Sequence, residues 1–539
     1  MTLDGRLRGD GPPPDAQGSR TWHAAWPSHL GLTLDYPRVP AWWLLERNVA
    51  RFGARVAVRE VDHATLAEGR TLTYEALFRA ARGTATGLRS LGVGPGSRVG
   101  LVLPNSSTLI VGYYATWLAG GVVVPANPAA RERELEPHLT DARVTLVVGQ
   151  AGTAAESAAR RLGRAFVDVE AFEALAVLPP IALAPCSVED LAVLLYTGGT
   201  TGAPKGAMLT HRNLVVNSIQ FAEWYAFAPG EETCVCAIPM FHSGGMSGVM
   251  NVPIYAGATL LVFARFKAAA VARAITRYRV TRLFGVPTMF IALLDEEEGH
   301  RADYSSLKAS RTNAAPLPPA VKAAFDGLVG REVLVEGYGL TEASPLTHAN
   351  PICRARPGSI GIPLPDTDAR IVDLDTGKDC PPGTAGELLI RGPQVMRGYW
   401  NRPAETAATL DDGWLRTGDV AVTHSDGYFT IVGRKKHVIN AAGFKVWPRE
   451  VEEVLYGHPA VRLAAVFGAP DPYRGEAVMA YVVLKEDHLG RVTEDELRRF
   501  CRERLTRYKA PHVIEFRADL PITETGKLLR RELPAPVSY

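Results

Sequence analysis

The chain has 539 residues, and its 59 Lys and Arg nearly balance 57 Asp and Glu, so the net charge of +2 gives no reason to expect nucleic acid or another polyanion as a partner. At 47% hydrophobic, 22% charged and 8% aromatic, the composition is that of a globular protein of roughly two to four domains, which excludes fibrous, collagen-like and globally disordered classes. The six cysteines (Cys186, Cys234, Cys236, Cys353, Cys380 and Cys501) form no CxxC pair and have no His at zinc-ligand spacing, so a reducing, cytoplasmic setting is expected, with neither a disulfide framework nor a structural zinc.

In chain order, the first twenty residues mix Gly, Pro, Arg and Asp without an apolar core, unlike a secretory signal or a transit peptide. They open what is expected to be a flexible arm over residues 1–35. A helical stretch at 74–91 precedes the apolar run 99–103. From Leu101 to Ala130 no side chain is charged, long enough to raise a membrane span, but Pro104, Asn105, Gly120, Gly121 and Pro125 divide it. A buried helix followed by a buried strand at 122–124 is the expectation. Further Val/Leu/Ile runs at 144–148, 191–196 and 260–263 alternate with helical pattern such as 268–278. That alternation predicts an α/β fold with strands buried on both faces. After Gly361 the texture becomes short strands and turns (369–373, 386–391, 427–432), predicting a β-rich subdomain packed on the α/β body. Beyond Arg434 come a helix opening at Pro448, strands at 461–467 and 477–484, a helix at 494–505 and a strand at 513–516, which predict a small α+β unit over 436–539 beside a large unit over 36–435.

The segment 191–206, LAVLLYTGGTTGAPKG, runs a buried-strand pattern directly into a loop of Gly, Thr and Lys. Glycines bring backbone N–H groups close to an anion, hydroxyls donate hydrogen bonds and Lys205 adds positive charge, so the loop suits a polyphosphate. Pro204 before Lys205 and Gly206 after it depart from the Walker A pattern, which disfavours a P-loop ATPase or kinase.

This loop resembles the phosphate-binding signature of the adenylate-forming superfamily, which includes acyl-CoA synthetases, coumarate-type ligases, luciferases and nonribosomal adenylation domains. Other segments of that pattern follow in order: PMFHSG (239–244), GVPT (285–288), EGYGLTE (336–342), GELLIRG (386–392), GWLRTGD (413–419), GRKK (433–436) and GK (526–527). The resemblance covers nearly everything from about Pro40 to Leu533 and is nearest to medium- and long-chain fatty-acid–CoA ligases, on YPRVPAW (36–42), Asn127-Pro128 followed by RELE (133–136), and KGAMLTHRN (205–213). It implies a large adenylation domain, a small mobile C-terminal domain, and use of ATP, Mg²⁺ and CoA on a small carboxylate. A monomer or homodimer without a transmembrane segment is expected. An aryl-CoA ligase and an acyl-AMP ligase loading a carrier protein stand beside the main reading. A non-catalytic nucleotide-binding scaffold is the alternative of a different class.

Residue by residue, the resemblance implies that Thr197, Gly198, Gly199, Thr200, Thr201, Gly202 and Lys205 hold the ATP phosphates, and that Thr197 and Glu342 position Mg²⁺. Adenine is implied between Asn313-Ala314-Ala315 and Gly337-Tyr338-Gly339, with Thr341 nearby, and the ribose on Asp419 beside Arg434. Lys527 matches the family's catalytic lysine. A cation bridging the attacking carboxylate and the α-phosphate stabilises the transition state more than the separated anions. His242 borders the acyl pocket, with Gly244, Gly245 and Gly285 lining it. Lys436 is the implied hinge, and Gly443, Phe444 and Lys445 the implied CoA contacts. Asn313 stands where a Gly is usual in this family, and Glu336 where a Gln is usual.

Overall fold

The computed structural model describes residues 6–8, 20–197, 204–441, 444–471, 475–521, 528 and 530–533. The apolar runs assemble as strands covered on both faces. In one six-stranded sheet the order is Lys205–Thr210, Leu191–Thr197, Val122–Pro125, Arg98–Val102, Leu146–Gly149, Ala165–Asp168. All neighbours there are parallel except the edge pair Lys205–Thr210 on Leu191–Thr197. A nine-stranded sheet has a parallel centre of Leu334–Gly339, Ala309–Thr312, Arg282–Gly285, Thr233–Cys236, Thr259–Val262 and Val56–Val61, with antiparallel strands added at both edges.

The uncharged stretch after Leu101 contains the helix Ser107–Leu118, buried on every side. With 12 residues it is far shorter than the roughly 20 that a bilayer needs, and among the described residues no helix is long and apolar enough to cross a membrane. Its polar tips anchor neighbouring loops: the Tyr113 hydroxyl donates to the Met240 carbonyl at 2.9 Å, Tyr114 to Asn251 Oδ1 at 3.0 Å, and the Trp117 indole to the Ala192 carbonyl at 2.9 Å. A buried phenol or indole needs such a partner.

Residues from Arg20 onward, expected as part of a flexible arm, pack on the body instead. The short helix Thr21–Ala25 buries Ala25, and Trp26 packs edge-to-face on Trp224 at 5.5 Å between ring centroids. Apolar burial by two tryptophans outweighs the loop-like composition of this stretch. Residues 1–5 and 9–19 lie outside the described residues.

The β-rich subdomain is an antiparallel sheet of Asp368–Val372, Gly386–Arg391, Trp414–Thr423 and Leu410–Asp411, with Phe429–Arg434 paired to Trp414–Thr423. From Ile439 a separate core begins: Ile439–Ala441, Phe444–Val446, Val461–Asp471, Gly475–Leu484 and Val513–Phe516 form a mixed sheet under the helices Pro448–Tyr456 and Glu494–Arg502. The strand expected at 461–467 extends to Asp471 through Gly468 and Pro470, because Gly475–Leu484 pairs with it along its whole length. Cross-strand pairing overrides local turn chemistry.

Candidate active site

Ligands of open α/β sheets bind beyond the carboxyl ends of the strands. The segments singled out in the sequence lie at those ends: Thr197 closes Leu191–Thr197, Gly285 closes Arg282–Gly285, Asn313 follows Thr312, and Gly337 to Gly339 end Leu334–Gly339.

Thr197 and Lys205 face each other in register across an antiparallel pair, so the Gly/Thr run between them joins two strands of one sheet. The Thr197 hydroxyl donates to the Lys205 carbonyl at 3.5 Å. Gly198, Gly199, Thr200, Thr201 and Gly202 lie outside the described residues. Behind the pair runs the chain at 396–400, held by Met208 N–H to the Gly398 carbonyl (2.9 Å) and Trp400 N–H to the Gly206 carbonyl (2.8 Å). This contact presents Tyr399, which sequence reasoning missed. The Lys205 ammonium lies 5.2 Å from the centre of the Tyr399 ring, and the Tyr399 hydroxyl donates to Glu342 Oε1 at 2.7 Å. Burial, reinforced by the Glu342 charge, pushes the Tyr399 phenol up, so it stays a donor. The Glu342 carbonyl accepts from Met396 N–H at 2.7 Å, which fixes the backbone of the same residue. Tyr399 and Glu342 are 57 residues apart, and nothing local marks the tyrosine.

Asp419 and Arg434 are register partners on adjacent strands. Arg434 Nε reaches Asp419 Oδ1 at 2.7 Å and its Nη2 donates to Oδ2 at 3.3 Å, a two-pronged pair. The Tyr338 hydroxyl donates to Asp419 Oδ2 at 2.5 Å. Burial and the adjacent Asp419 charge hold the Tyr338 phenol far above its usual range. For Arg434, burial pulls downward, but the negative charges of Asp419 and Glu342 outweigh it and raise its pKa. Lys436 is lowered by burial and by the positive charges of Arg434 and Lys205. Three cations therefore gather where a polyphosphate is expected, and an anion would relieve their repulsion.

In the adenine segment Ala314 has φ +72, a left-handed conformation that an L-residue with a Cβ adopts at a cost of about 1–3 kcal/mol and that recurs at ligand clamps. On the opposite strand a Cβ on Gly339 would lie 2.1 Å from the Pro345 carbonyl oxygen, so only glycine fits.

Glu336, just before that strand end, is buried, accepts from the Leu317 N–H at 3.3 Å, and faces Arg449 Nη2 of the helix Pro448–Tyr456 at 3.8 Å. Burial raises its pKa to about 7, against the pull of Arg449. The folded chain therefore binds a proton that the unfolded chain releases near pH ~4.3. The associated stability is fully present below that value and lost as pH rises through about 7. Glu336→Gln is expected to raise the melting temperature near pH ~8 by about 2–4 °C and to leave it nearly unchanged near pH ~4, where the glutamate is largely neutral in the folded and the unfolded chain alike. Calorimetry at both pH values checks this; an equal shift at both would detach the effect from the titration.

The loop before the helical segment at 243–255 carries His242, whose Nδ1 accepts from the Gly244 N–H at 3.2 Å. In the neutral ring that acceptor role leaves the proton on Nε2. Ser243 Oγ lies 3.3 Å from Thr341 Oγ1, joining this loop to the Glu342 segment. The π-turn Met246–Asn251 follows, a form of helix common at functional sites. A Cβ on Gly245 would lie 2.0 Å from the Pro239 carbonyl oxygen, so this glycine serves close backbone packing. A Cβ on Gly244 would lie 3.5 Å from His242 Nδ1, and one on Gly285 3.2 Å from the Phe290 ring.

In the small unit Phe444 is 55% exposed and stacks on Tyr508 at 4.6 Å, and Lys445 pairs with Asp375 of the β-rich subdomain at 3.4 Å. Gly443 and Lys527 lie outside the described residues. Among the described residues no three His, Cys, Asp or Glu side chains converge on a metal position.

The model of the AMP-binding enzyme family matches residues 45–400, and that of the AMP-binding enzyme C-terminal domain matches residues 450–527. The long-chain-fatty-acid–CoA ligase of Bacillus subtilis (strain 168) is 38% identical, with 96% of this chain and 98% of that protein aligned. A feruloyl-CoA synthase of Amycolatopsis sp is 39% identical over 88% of this chain and 96% of its own length. Among solved structures, the anthranilate CoA ligase AuaEII in complex with anthranoyl-AMP superposes with a TM-score of 0.84 at 28% identity, covering 94% of this chain and 98% of that one.

Proposed function

The chain belongs to the AMP-binding enzyme family, and from that premise we propose how its residues divide the work of activating a carboxylate. It is an ATP-dependent acyl-CoA synthetase, an AMP-forming acid–thiol ligase: a carboxylate and ATP give an acyl-adenylate and pyrophosphate, and CoA then displaces AMP to leave a thioester. The observation that carries the assignment of roles is the convergence of Lys205, Tyr399, Glu342, Tyr338, Asp419 and Arg434, drawn from five separate stretches of chain, into one connected polar surface.

Lys205 and the Gly/Thr loop cradle the terminal phosphates, helped by the positive charge of Arg434 and Lys436. Asp419 accepts hydrogen bonds from the ribose hydroxyls, with Arg434 and Tyr338 holding its carboxylate in place. The Glu342 carboxylate and Thr197 hydroxyl are hard oxygen donors that fit Mg²⁺, which when bound neutralises phosphate charge during displacement at the α-phosphorus. Glu342 is held for this at both ends, by Tyr399 and by Met396 N–H. His242, its ring held through Nδ1 by the Gly244 N–H, borders the acyl pocket and gates the approach of the carboxylate. Lys527 bridges that carboxylate and the α-phosphate.

The adenylation step needs Lys527 and the second needs access for a thiol, so one surface of the small unit cannot serve both. We assign 36–435 and 436–539 as the units that reorient about Lys436, bringing Gly443, Phe444 and Lys445 to the CoA path. The Lys445–Asp375 pair is exposed, so its release costs little. Gly443→Val is expected to slow thioester formation at least ~10-fold with adenylation within ~2-fold of wild type, since a side chain obstructs the pantetheine arm alone. Separate assays of the two half-reactions check this, and equal loss in both would rule the assignment out.

The acyl group is proposed as a medium- or long-chain fatty acid, supported by the Bacillus relative; the feruloyl-CoA synthase relative supports an aryl acid as the second reading. Pyrophosphate release with ATP and Mg²⁺, across straight-chain and aryl acids and with and without CoA, tests both. Turnover sustained by fatty acids only when CoA is present is the expected result. Release from no carboxylate would remove the synthetase reading.

A further inference from the structure

Two buried arginines of the nine-stranded sheet differ in their counter-ions. Arg282 is 3% exposed, donates to Glu232 Oε1 at 2.9 Å and to the carbonyls of Tyr225 (2.9 Å) and Ala226 (3.0 Å), and leaves its Nε without a hydrogen-bond partner among the described residues. Arg311, on the next strand but 1% exposed, has no carboxylate partner among the described residues, and its Nε and Nη1 have no hydrogen-bond partner there. Its guanidinium lies over Phe221 at 4.2 Å and near Phe284 at 5.4 Å. Aromatic faces stabilise the cation but leave its in-plane N–H groups unused. Burial lowers the pKa of Arg311 to about 10, so at neutral pH the buried charge persists. A second orphan stands close by: the Tyr225 hydroxyl is buried without a partner and feels the Arg311 charge.

The position of Arg311 ties these unused donors to the acyl side of the site. It precedes Thr312, the register partner of Gly285, and lies two residues before the adenine segment that opens at Asn313. A Cβ on Gly248 of the π-turn behind His242 would lie 3.2 Å from Arg311 Nη2, and one on Gly337 would lie 3.4 Å from Arg311 Cδ. The guanidinium is therefore bracketed by the acyl loop on one side and the adenylate strand on the other.

We propose that Arg311 is a specificity-determining residue that receives a second carboxylate at the distal end of the acyl substrate, so that the preferred acids are α,ω-dicarboxylates. The proposal rests on the acyl-CoA synthetase reading and narrows its substrate class. A carboxylate is the partner that matches both the charge and the planar fork of a guanidinium. A buried cation lacking a counter-ion in the protein is costly unless the ligand supplies one. A plain methyl-terminated chain would leave these donors unmatched.

The test is pyrophosphate release by the full-length enzyme with monocarboxylates and α,ω-dicarboxylates matched in chain length. The wild type is expected to show a kcat/KM at least ~10-fold higher for the dicarboxylate, and Arg311→Leu to reverse that order chiefly through KM. If Arg311→Leu does not fold, Gly248→Ala serves instead: it is expected to raise the KM of the dicarboxylate several-fold and leave that of the monocarboxylate unchanged. A wild type that prefers monocarboxylates, or a preference that either variant leaves unchanged, overturns the assignment and leaves Arg311 a structural cation held by two rings. No release from any carboxylate would instead overturn the synthetase reading beneath it.

Discussion

Lys527→Ala is expected to lower carboxylate-dependent pyrophosphate release by roughly 10²–10³-fold, the usual cost of removing one preorganised transition-state partner, while the affinity for ATP changes less than ~3-fold. The asymmetry follows from where charge meets. Attack of a carboxylate on the α-phosphorus presses two anions together, so a bridging cation gains most at the transition state and little in the bound reactants. A lone lysine late in a chain is most often just solvated charge, and nothing in the stretch 520–530, LPITETGKLLR, marks Lys527 locally. Rapid-quench measurement of pyrophosphate, paired with a nucleotide titration, separates chemistry from binding. Release at the wild-type rate would remove Lys527 from the mechanism, and a parallel loss of ATP affinity would make it a binding residue.

Asp419→Asn should show the opposite signature, with ATP affinity falling by about 10²-fold, because two hydrogen bonds from the ribose to a charged acceptor contribute about 1.5 kcal/mol each. The substitution also sets an amide N–H₂ against donors. In the wild type Arg434 engages both Asp419 oxygens and Tyr338 adds a third hydrogen bond at 2.5 Å. Arg434 is partly exposed, so screening limits the loss of fold stability to ~1–2 kcal/mol, about 2–4 °C in melting temperature. Tyr338→Phe removes one hydrogen bond and leaves the charge, and should cost only a few-fold in affinity. Nucleotide titration of both variants decides between the two contributions. An Asp419→Asn protein with near-normal ATP affinity would mean that the carboxylate exists to hold Arg434 rather than the ribose.

What could be read locally was read well. The helix Ala268–Tyr278 and the strands Gly386–Arg391 and Val513–Phe516 fall where apolar periodicity predicts them, since each pattern is contained within its own element. Thr197 and Lys205 stand out in the sequence because the Gly/Thr/Lys run is a continuous piece of chain with a strand on either side. Tyr399 does not, because it serves Glu342 and Lys205 only through strand-like contacts of 396–400 with Lys205–Thr210. The family resemblance puts Gly245 in the lining of the acyl pocket. Gly245 proves to be packing, at a contact with Pro239 too close for any side chain.

From the sequence alone follow the α/β class, the order of the strands and helices, the Gly/Thr/Lys run between two strands and, through its resemblance to adenylate-forming enzymes, the reaction. These depend on residue type and short-range spacing, which backbone geometry converts directly into local structure. Only the tertiary structure decided which charges are compensated: that Asp419 is clamped by Arg434 and Tyr338, that Glu336 is buried against Arg449 from another domain, and that Arg282 has a carboxylate where Arg311 has none among the described residues. The physical reason is that burial and Coulomb interaction depend on distance in space. Chain topology, which brings Tyr338 within hydrogen-bond reach of Asp419, 81 residues away, sets that distance.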